Sequence, residues 1–256
     1  EAAAAHGVDV LCQKPLAPTF AEAAAVLGRA GSIRVMAHDN WRFRPWYRAA
    51  GAMVAGGEAG DLLQASLRMF SSELLADASG RRPGLERQPF MAAEARLMIA
   101  EVLIHHLDVL RFLCGPLRVV HARTLRTVAD VVGETAATIV LETQQGRPVL
   151  LSGTMTAPGF PARSKDRLEL IGAKASIVLD AEELRLLGPS PRTITYEFEE
   201  AYQASFDNAV SHFVGCLESG APFETDAATD NLQTLELVES AYSRASAAQS
   251  AGGEVR

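Results

Sequence analysis

Two short apolar segments near the start of the chain, separated by an alanine-rich one, place the strongest constraint on its fold. Val8 to Gln13 has the composition of a buried strand, which ends at a Lys14-Pro15 corner. Thr19-Phe20-Ala21-Glu22 is a capping box that starts a helix, and Gly31 is a suitable C-terminal cap for it. Ile33 to Ala37 then predicts a second strand. This order predicts two parallel strands joined by a right-handed crossover.

A parallel pair of this kind needs neighbouring strands, because an unpaired strand edge is prone to aggregation. None of the 20 glycines lies two positions from another, so the sequence has no G-x-G-x-x-G loop of the kind that binds a dinucleotide. We therefore expect residues 1 to 39 to be the C-terminal remnant of a dinucleotide-binding domain. We also expect the sequence to be a piece of a longer chain. A genuine start at Glu1 would instead favour a protein that binds no dinucleotide.

Residues 40 to 256 predict a second domain of different architecture. It starts with a short helix (Tyr47 to Ala55), a strand (Leu62 to Phe70), a polar loop (Ser71 to Gln88) and a long helix (Ala92 to Leu113). Short strand-type segments then follow without helices between them, which favours an open, mostly antiparallel sheet. The predicted fold class is α/β (α+β), a Rossmann remnant followed by this sheet with flanking helices. The later strands are predicted at 119–127, 135–142, 148–156, 167–171, 176–180 and 193–198, and two closing helices at 202–218 and 229–248.

The composition excludes several classes of function. A net charge of −7 is unsuited to sequence-independent binding of nucleic acid, which requires a basic surface. The apolar runs are far shorter than the ~20 residues of a membrane span, and the first residues lack the pattern of a signal peptide. The three cysteines are widely separated and odd in number, which argues against a disulfide framework. We therefore predict a cytoplasmic protein without a nucleic-acid or membrane partner.

The predicted helix from Ala92 to Leu113 carries ionisable residues on an apolar background. Glu101, His105 and Asp108 have the spacing i, i+4, i+7 and so share one face. Their burial is costly unless they pair with one another or perform chemistry. A structural network that orients His105 and a functional site both fit the pattern, and we favour the functional site. A metal is not expected, because His105 and His106 point about 100° apart on a helix.

A cluster of aromatic and cationic residues follows the second strand. It comprises Trp41, Arg42, Arg44 and Trp46. One interpretation is a packed corner with cation–π contacts. The other is a wall of a substrate pocket, where arginine binds hydroxyls or a carboxylate. The sequence does not separate the two.

Three motifs in this order carry a family resemblance. They are Gln13-Lys14-Pro15 after an apolar strand, Asn40-Trp41-Arg42-Phe43-Arg44-Pro45, and Glu101-x-x-x-His105-x-x-Asp108. With the later segment from Glu169 to Ile177, they resemble the glucose–fructose oxidoreductase / inositol dehydrogenase / rhizopine catabolism (Gfo/Idh/MocA) family, in the family's order and over almost the whole chain.

The resemblance implies a function and a role for individual residues. Members pair a Rossmann domain that binds NAD or NADP with an open-sheet domain, and oxidise hydroxyls. It implies that Lys14 lies near the nicotinamide and the reacting bond, with Gln13 and Pro15 as its cofactor-binding neighbours. It implies catalytic roles for Lys14, for His105, as proton acceptor and donor, and for Glu101. The residues expected at the substrate are Trp41, Arg42, Arg44 and Asp108.

Two residues depart from the family pattern: Gln13 replaces the glutamate of its Glu-Lys-Pro motif, and Glu101 the aspartate of its Asp-x-x-x-His pair. We predict an NAD(P)-dependent oxidoreductase that interconverts a hydroxyl and a ketone on a sugar, polyol or related small molecule. The alternatives are a non-catalytic assembly or ligand-binding protein and a redox-neutral, NAD-dependent lyase or glycosidase. An open sheet with one uncovered face also predicts a homo-oligomer through that face.

Overall fold

The front of the chain folds as a small parallel unit. In the computed structural model, which describes the backbone of residues 2–252 and the side chains of residues 2–248, helix α1 (Ala2–Ala5) precedes strand β1 (Val10–Gln13). Helix α2 (Phe20–Leu27) connects β1 to strand β2 (Val35–His38), and the two strands pair in parallel. The Thr19 side chain accepts a hydrogen bond from the backbone N–H of Glu22 at 3.3 Å. The predicted capping box and parallel strand–helix–strand unit are confirmed.

The segment after β2 is where the sequence prediction was least accurate. A 3₁₀ turn (Trp41–Phe43) leads into helix α3 (Pro45–Ala55) and strand β3 (Leu62–Phe70), as expected. The polar loop predicted from Ser71 to Gln88 contains a short helix, α4 (Pro83–Arg87), which begins with proline at a favourable position.

The prediction of a single long helix from Ala92 to Leu113 is wrong. A 3₁₀ turn (Pro89–Ala92), a π-helical segment (Met98–Leu103) and helix α5 (Ile104–Cys114) take its place. The cause is a distant residue: the Glu134 carboxylate accepts hydrogen bonds from the backbone N–H groups of Leu97 and Ile99, and its carbonyl accepts one from Met98. Glu134 therefore satisfies the first N–H groups of the π-helical segment, which have no partner within a helix.

The large sheet has eight strands in the order β10-β9-β8-β7-β3-β6-β5-β4. Within it, β3 pairs in parallel with β6, and the other pairings are antiparallel, as predicted. Strand β9 was missed, although its five residues alternate between buried and less buried positions. The strands after β3 are β4 (Leu117–Leu125), β5 (Ala136–Thr143), β6 (Pro148–Thr154), β7 (Lys165–Gly172), β8 (Ser176–Asp180), β9 (Glu183–Leu187) and β10 (Arg192–Thr195).

One face of this sheet forms the main core. On β3, Ala65, Leu67 and Met69 are buried, and they belong to the same apolar cluster as α3 and α5. The opposite face stays open, with Leu150 and Ile171 41% and 38% exposed. The period-2 alternation of each strand thus places apolar side chains under the helices and leaves a mixed polar and apolar face outside.

Two helices complete the fold, α6 (Phe198–Ser219) and, after a π-helical segment (Ala227–Asn231), α7 (Leu232–Gly252). Helix α6 packs against the small sheet, because Ala209 and Cys216 share a core cluster with Met36. The predicted domain boundary between residues 39 and 40 stays a prediction. The core around Met36, before that boundary, includes Ala209 and Cys216 from α6.

Other sequence expectations can be set against the described residues. Within them, no helix is long and apolar enough to cross a membrane. The same residues contain no group of three or more histidine, cysteine or acidic side chains arranged to hold a metal ion. Cys12, Cys114 and Cys216 are free. The cytoplasmic location stays a prediction.

Two glycines give opposite expectations for stability. A Cβ at Gly172 would lie 2.2 Å from the carbonyl oxygen of Ala59, so Gly172→Ala forces backbone apart. We expect it to lower the free energy of unfolding by about 1–3 kcal/mol.

Gly215, inside helix α6, has nothing within 4 Å of its Cβ position. Gly215→Ala is therefore expected to raise the free energy of unfolding by about 0.5–1 kcal/mol. Urea unfolding of both variants tests this, and equal effects would contradict the close approach.

Candidate active site

The carboxyl ends of β1 and β2 bring two charged residues to one edge of the small sheet. Gln13 and His38 are paired in register at the strand ends, and the Gln13 side-chain oxygen lies 3.1 Å from His38 Nδ1. Lys14 follows β1 directly and Asp39 follows β2 directly. The edge of a parallel sheet at its carboxyl ends is the usual position of a ligand site in such units. The Lys14-Pro15 peptide bond at this edge is cis.

The Lys14 ammonium is held by Glu101. Its Nζ donates to the Glu101 backbone carbonyl at 2.7 Å and to Glu101 Oε2 at 3.0 Å. Glu101 lies in the π-helical segment that precedes α5. The Lys14 side chain is 13% exposed. An ammonium has three N–H donors, so one is left for a group bound beside it.

His105, in the first turn of α5, is held by Asp39. The distance from His105 Nδ1 to Asp39 Oδ1 is 2.6 Å, and Asp39 is fully buried. The His105 ring also stacks on Trp41, with ring centroids 4.2 Å apart and planes inclined by 12°. A carboxylate only accepts hydrogen bonds, so Nδ1 carries the proton and Nε2 has a free lone pair.

Burial and neighbouring charges determine the protonation of this pair. Burial, followed by the positive charges of Lys14, His106 and Arg44, lowers the pKa of His105 well below its usual value. Burial raises the pKa of Asp39 to about 6, although nearby Arg42 and Lys14 oppose this. At neutral pH the pair is therefore a neutral imidazole beside an ionised carboxylate. A neutral imidazole can accept a proton.

The three residues predicted to share a helix face have separate partners. Glu101 pairs with Lys14, His105 with Asp39, and Asp108 with Arg42. The alternative that was not favoured, a structural network in which Glu101 or Asp108 orients His105, is not observed, because Asp39 holds His105. Sequence reasoning missed Asp39, although one signal was available: an acidic residue directly after an apolar strand, at the same sheet edge as Lys14.

Arg42 and Asp108 belong to a buried ionic network. Arg42 Nε donates to Asp108 Oδ2 at 2.6 Å, and Arg42 also pairs with Asp230 at 2.9 Å. Asp230 in turn accepts from Arg111 at 3.1 Å. Burial raises the pKa of Asp108 to about 6. Neither Arg42 nor Asp108 lines the cavity described next, so the structure gives them a role in joining the 3₁₀ turn to α5.

A cavity of about 450 Å³ lies in front of these pairs. The other walls carry Arg163, from the loop before β7, and Phe198, from the start of α6. A cavity of about 570 Å³ between β4 and α7 is larger, but neither the Lys14–Glu101 nor the Asp39–His105 pair lines it. The smaller cavity is the candidate active site because the polarised groups face it. Of the residues singled out from the sequence, it is lined by Gln13, Lys14, Trp41, Arg44, Glu101 and His105.

Comparison with known proteins identifies related chains. The model of the GFO/IDH/MocA C-terminal domain family matches residues 47–178. A D-apiose dehydrogenase from Paraburkholderia graminis is 31% identical over 260 aligned positions, which cover 94% of this chain and 66% of that protein. A D-apiose dehydrogenase from Rhizobium rhizogenes is 30% identical, covering 96% of this chain and 72% of that protein. The chain thus spans about two thirds of the length of these relatives.

Solved structures show the same fold. An oxidoreductase from Agrobacterium radiobacter, in complex with NAD+, L-tartaric acid and magnesium, is 28% identical with a TM-score of 0.85. The match covers 95% of this chain and 72% of that one. A levoglucosan dehydrogenase in complex with NADH and levoglucosan is 18% identical with a TM-score of 0.80, which shows the fold alone. That match covers 96% of this chain and 74% of the other.

Proposed function

Because the chain belongs to the Gfo/Idh/MocA family, we propose that it functions as an NAD- or NADP-dependent oxidoreductase that interconverts a hydroxyl and a ketone on a sugar, polyol or related small molecule. The observation that carries the proposal is the convergence of Lys14 and His105, each held by its own carboxylate, on one cavity at the carboxyl ends of two parallel strands. D-Apiose dehydrogenases among its relatives support the sugar-like class of substrate.

The residues around the cavity fit the reactive end of a nicotinamide dinucleotide. Gln13 and Lys14 line the cavity, and Lys14 keeps one N–H donor beyond its two bonds to Glu101. With Pro15 they would hold the nicotinamide end. The sequence contains no G-x-G, so the pyrophosphate loop is not among its residues. When bound, the dinucleotide supplies a hydride acceptor and, in reverse, a hydride donor.

His105 performs the proton transfer in this proposal. Removal of a hydride from the carbinol carbon requires the hydroxyl proton to leave as well. The Nε2 lone pair of His105 accepts that proton, and Asp39 stabilises the imidazolium that forms because it already accepts the Nδ1 hydrogen. In the reverse direction the imidazolium returns the proton to the carbonyl oxygen.

Lys14 acts on the oxygen itself. Its remaining N–H donates to the substrate oxygen and stabilises the negative charge that develops there. Glu101 fixes the ammonium in position through both its backbone carbonyl and its carboxylate. The stacked Trp41 ring fixes the plane of the imidazole. The site is therefore held rigid before the substrate arrives.

Replacement of His105 by glutamine removes the proton acceptor and keeps a side chain of similar size. We expect kcat to fall by about 100-fold or more, with folding retained. The measurement is the initial rate of NAD+ or NADP+ reduction by the full-length protein with D-apiose and related sugars. His121→Gln, on the exposed face of β4, is the matched control and should keep the wild-type rate. Wild-type kcat in the His105 variant would overturn the assignment.

Lys14 and His105 are coupled electrostatically, which predicts a change in pH dependence. After burial, the Lys14 charge is the next cause of the lowered His105 pKa. Hydroxyl oxidation needs neutral His105, so kcat falls as the pH drops through that pKa. Lys14→Met removes the positive charge, and the acid limb of the kcat profile should move to higher pH. Lys14→Arg keeps the charge and should leave the limb in place. Coinciding limbs in both variants would contradict this coupling.

We also propose that the open face of the large sheet joins copies of the chain. Leu150 and Ile171 point outward there among polar neighbours. Sedimentation of the wild type should give a dimer or larger species, and a Leu150→Glu, Ile171→Glu double variant should give a monomer. Val210→Glu is the control, since Val210 is 46% exposed on α6, away from the sheet. A wild type that sediments as a monomer would overturn this proposal.

A further inference from the structure

Arg44 is buried at the cavity with a hydrogen-bond donor left unfilled. Its exposed fraction is 1%, and its guanidinium carbon lies 3.5 Å from the centroid of the Trp41 ring. Among the described residues, Arg44 Nε has no hydrogen-bond partner. The recorded ion pair of Arg44 is with Asp166, at 3.6 Å from Nη1, too long for a hydrogen bond.

Asp166 is already occupied by other donors. His106 Nε2 lies 3.0 Å from Asp166 Oδ1, and the Tyr47 hydroxyl donates to Asp166 Oδ2 at 2.8 Å. A carboxylate that serves these two groups compensates Arg44 only through a longer contact. Asp166 therefore offsets the Arg44 charge at 3.6 Å without accepting a hydrogen bond from it. Buried donors that stay unfilled are costly unless a ligand completes them.

A second arginine lines the same cavity. The Arg163 guanidinium lies 3.8 Å from the centroid of the Phe198 ring and pairs with Glu182 at 2.8 Å. The two buried or half-buried carboxylates of the lining are paired elsewhere: Glu73 with Arg87 at 2.7 Å, and Glu101 with Lys14 at 3.0 Å. The wall that carries Arg44 and Arg163 therefore presents two guanidinium groups, each paired with one carboxylate.

We propose that this wall is an anion subsite, and that the substrate is a hydroxy acid whose carboxylate is held by Arg44 with help from Arg163. The proposal rests on the function proposed above and narrows its substrate class. A guanidinium presents a planar fork that matches the two oxygens of a carboxylate, whereas a neutral hydroxyl would accept from only one of its donors. Because Trp41 contacts both Arg44 and His105, the carboxylate would sit close to the reacting hydroxyl.

The two tryptophans of the chain report on this subsite directly. The guanidinium carbon of Arg44 lies 3.5 Å from the ring centroid of Trp41 and 5.3 Å from that of Trp46. Titration of the protein with sodium gluconate, at constant ionic strength, should give a saturable change in tryptophan fluorescence. D-Glucose, the neutral counterpart, should give none over the same range. Equal responses to both, or none to gluconate, would overturn the proposal.

Titration with glucose 6-phosphate tests whether the subsite binds a phosphate instead of a carboxylate. It carries a phosphate on the same carbon skeleton. Gluconate binding more tightly than glucose 6-phosphate supports a carboxylate subsite. The reverse order would overturn the carboxylate assignment.

Variants identify the arginines responsible. Arg44→Gln should weaken gluconate binding about 10- to 100-fold, as expected for a lost charge-assisted hydrogen bond, and Arg44→Lys should recover part of it. Arg163 is half-buried and its replacement is easier to tolerate, so Arg163→Gln should weaken binding about 3- to 10-fold even if the Arg44 variants do not fold. Arg81→Gln, at an exposed position outside the cavity, should bind as the wild type does. Unchanged binding in Arg163→Gln and in a folded Arg44→Gln would overturn the assignment.

Kinetics then separate this inference from the function on which it rests. In the full-length protein, kcat/KM for nicotinamide reduction should be higher with gluconate than with D-glucose, and Arg163→Gln should reduce that preference. Turnover of neutral sugars without a preference for the acid would overturn the anion subsite and leave the oxidoreductase standing. Saturable binding of gluconate with no nicotinamide reduction by any of these compounds would overturn the oxidoreductase itself.

Discussion

The contact between Asp39 and His105 is the interaction on which the site depends. It joins the residue after the last strand of the small sheet to the first turn of α5, through a hydrogen bond of 2.6 Å in a fully buried position. Two further pairs run alongside it, Lys14 with Glu101 and Arg42 with Asp108. Together they set the small sheet against the helical segment that forms the back wall of the cavity.

Such buried pairs contribute more to specificity of arrangement than to stability. The cost of removing both charges from water offsets much of their attraction, so a well-packed apolar replacement would often be as stable. What the pairs provide is a fixed position for each group. Lys14 and His105 face the same cavity, and the positive charge of Lys14 helps keep His105 neutral. The pairs therefore fix a neutral imidazole near a cation, which an apolar interface would not.

The sequence predicts local features well and long-range ones poorly. The capping box at Thr19 and the strand β3 follow from adjacent residues alone, and both form as expected. The π-helical segment does not, because Glu134 sets where the helix begins by binding backbone N–H groups more than 30 positions earlier. The helical periodicity around Glu101 was therefore read as one regular helix.

The site shows the same division. Lys14, Glu101 and His105 were recognised from motif order, and all three line one cavity. Asp39 was missed because its importance comes from a partner 66 positions away, and strand-end acids are common. Arg42 and Asp108 looked like pocket residues because they belong to the same motifs. The structure pairs them with each other in a buried position, outside the lining of the cavity, and their role at the substrate stays a prediction.

The two departures from the family pattern are explained by one another. The Gln13 side chain is neutral. Its oxygen accepts a hydrogen bond from the Lys14 backbone N–H at 3.1 Å, and the same oxygen lies 3.1 Å from His38 Nδ1. A glutamate there would place a negative charge beside Lys14. In this chain the negative charge reaches Lys14 from the other side, because the longer side chain of Glu101 extends to Nζ. The lysine thus keeps a carboxylate partner, while the end of strand β1 at Gln13 carries no charge. The carboxylate of Glu101 lies on the π-helical segment and not on strand β1. It therefore links the Lys14 ammonium to the segment that leads directly into α5, which carries His105.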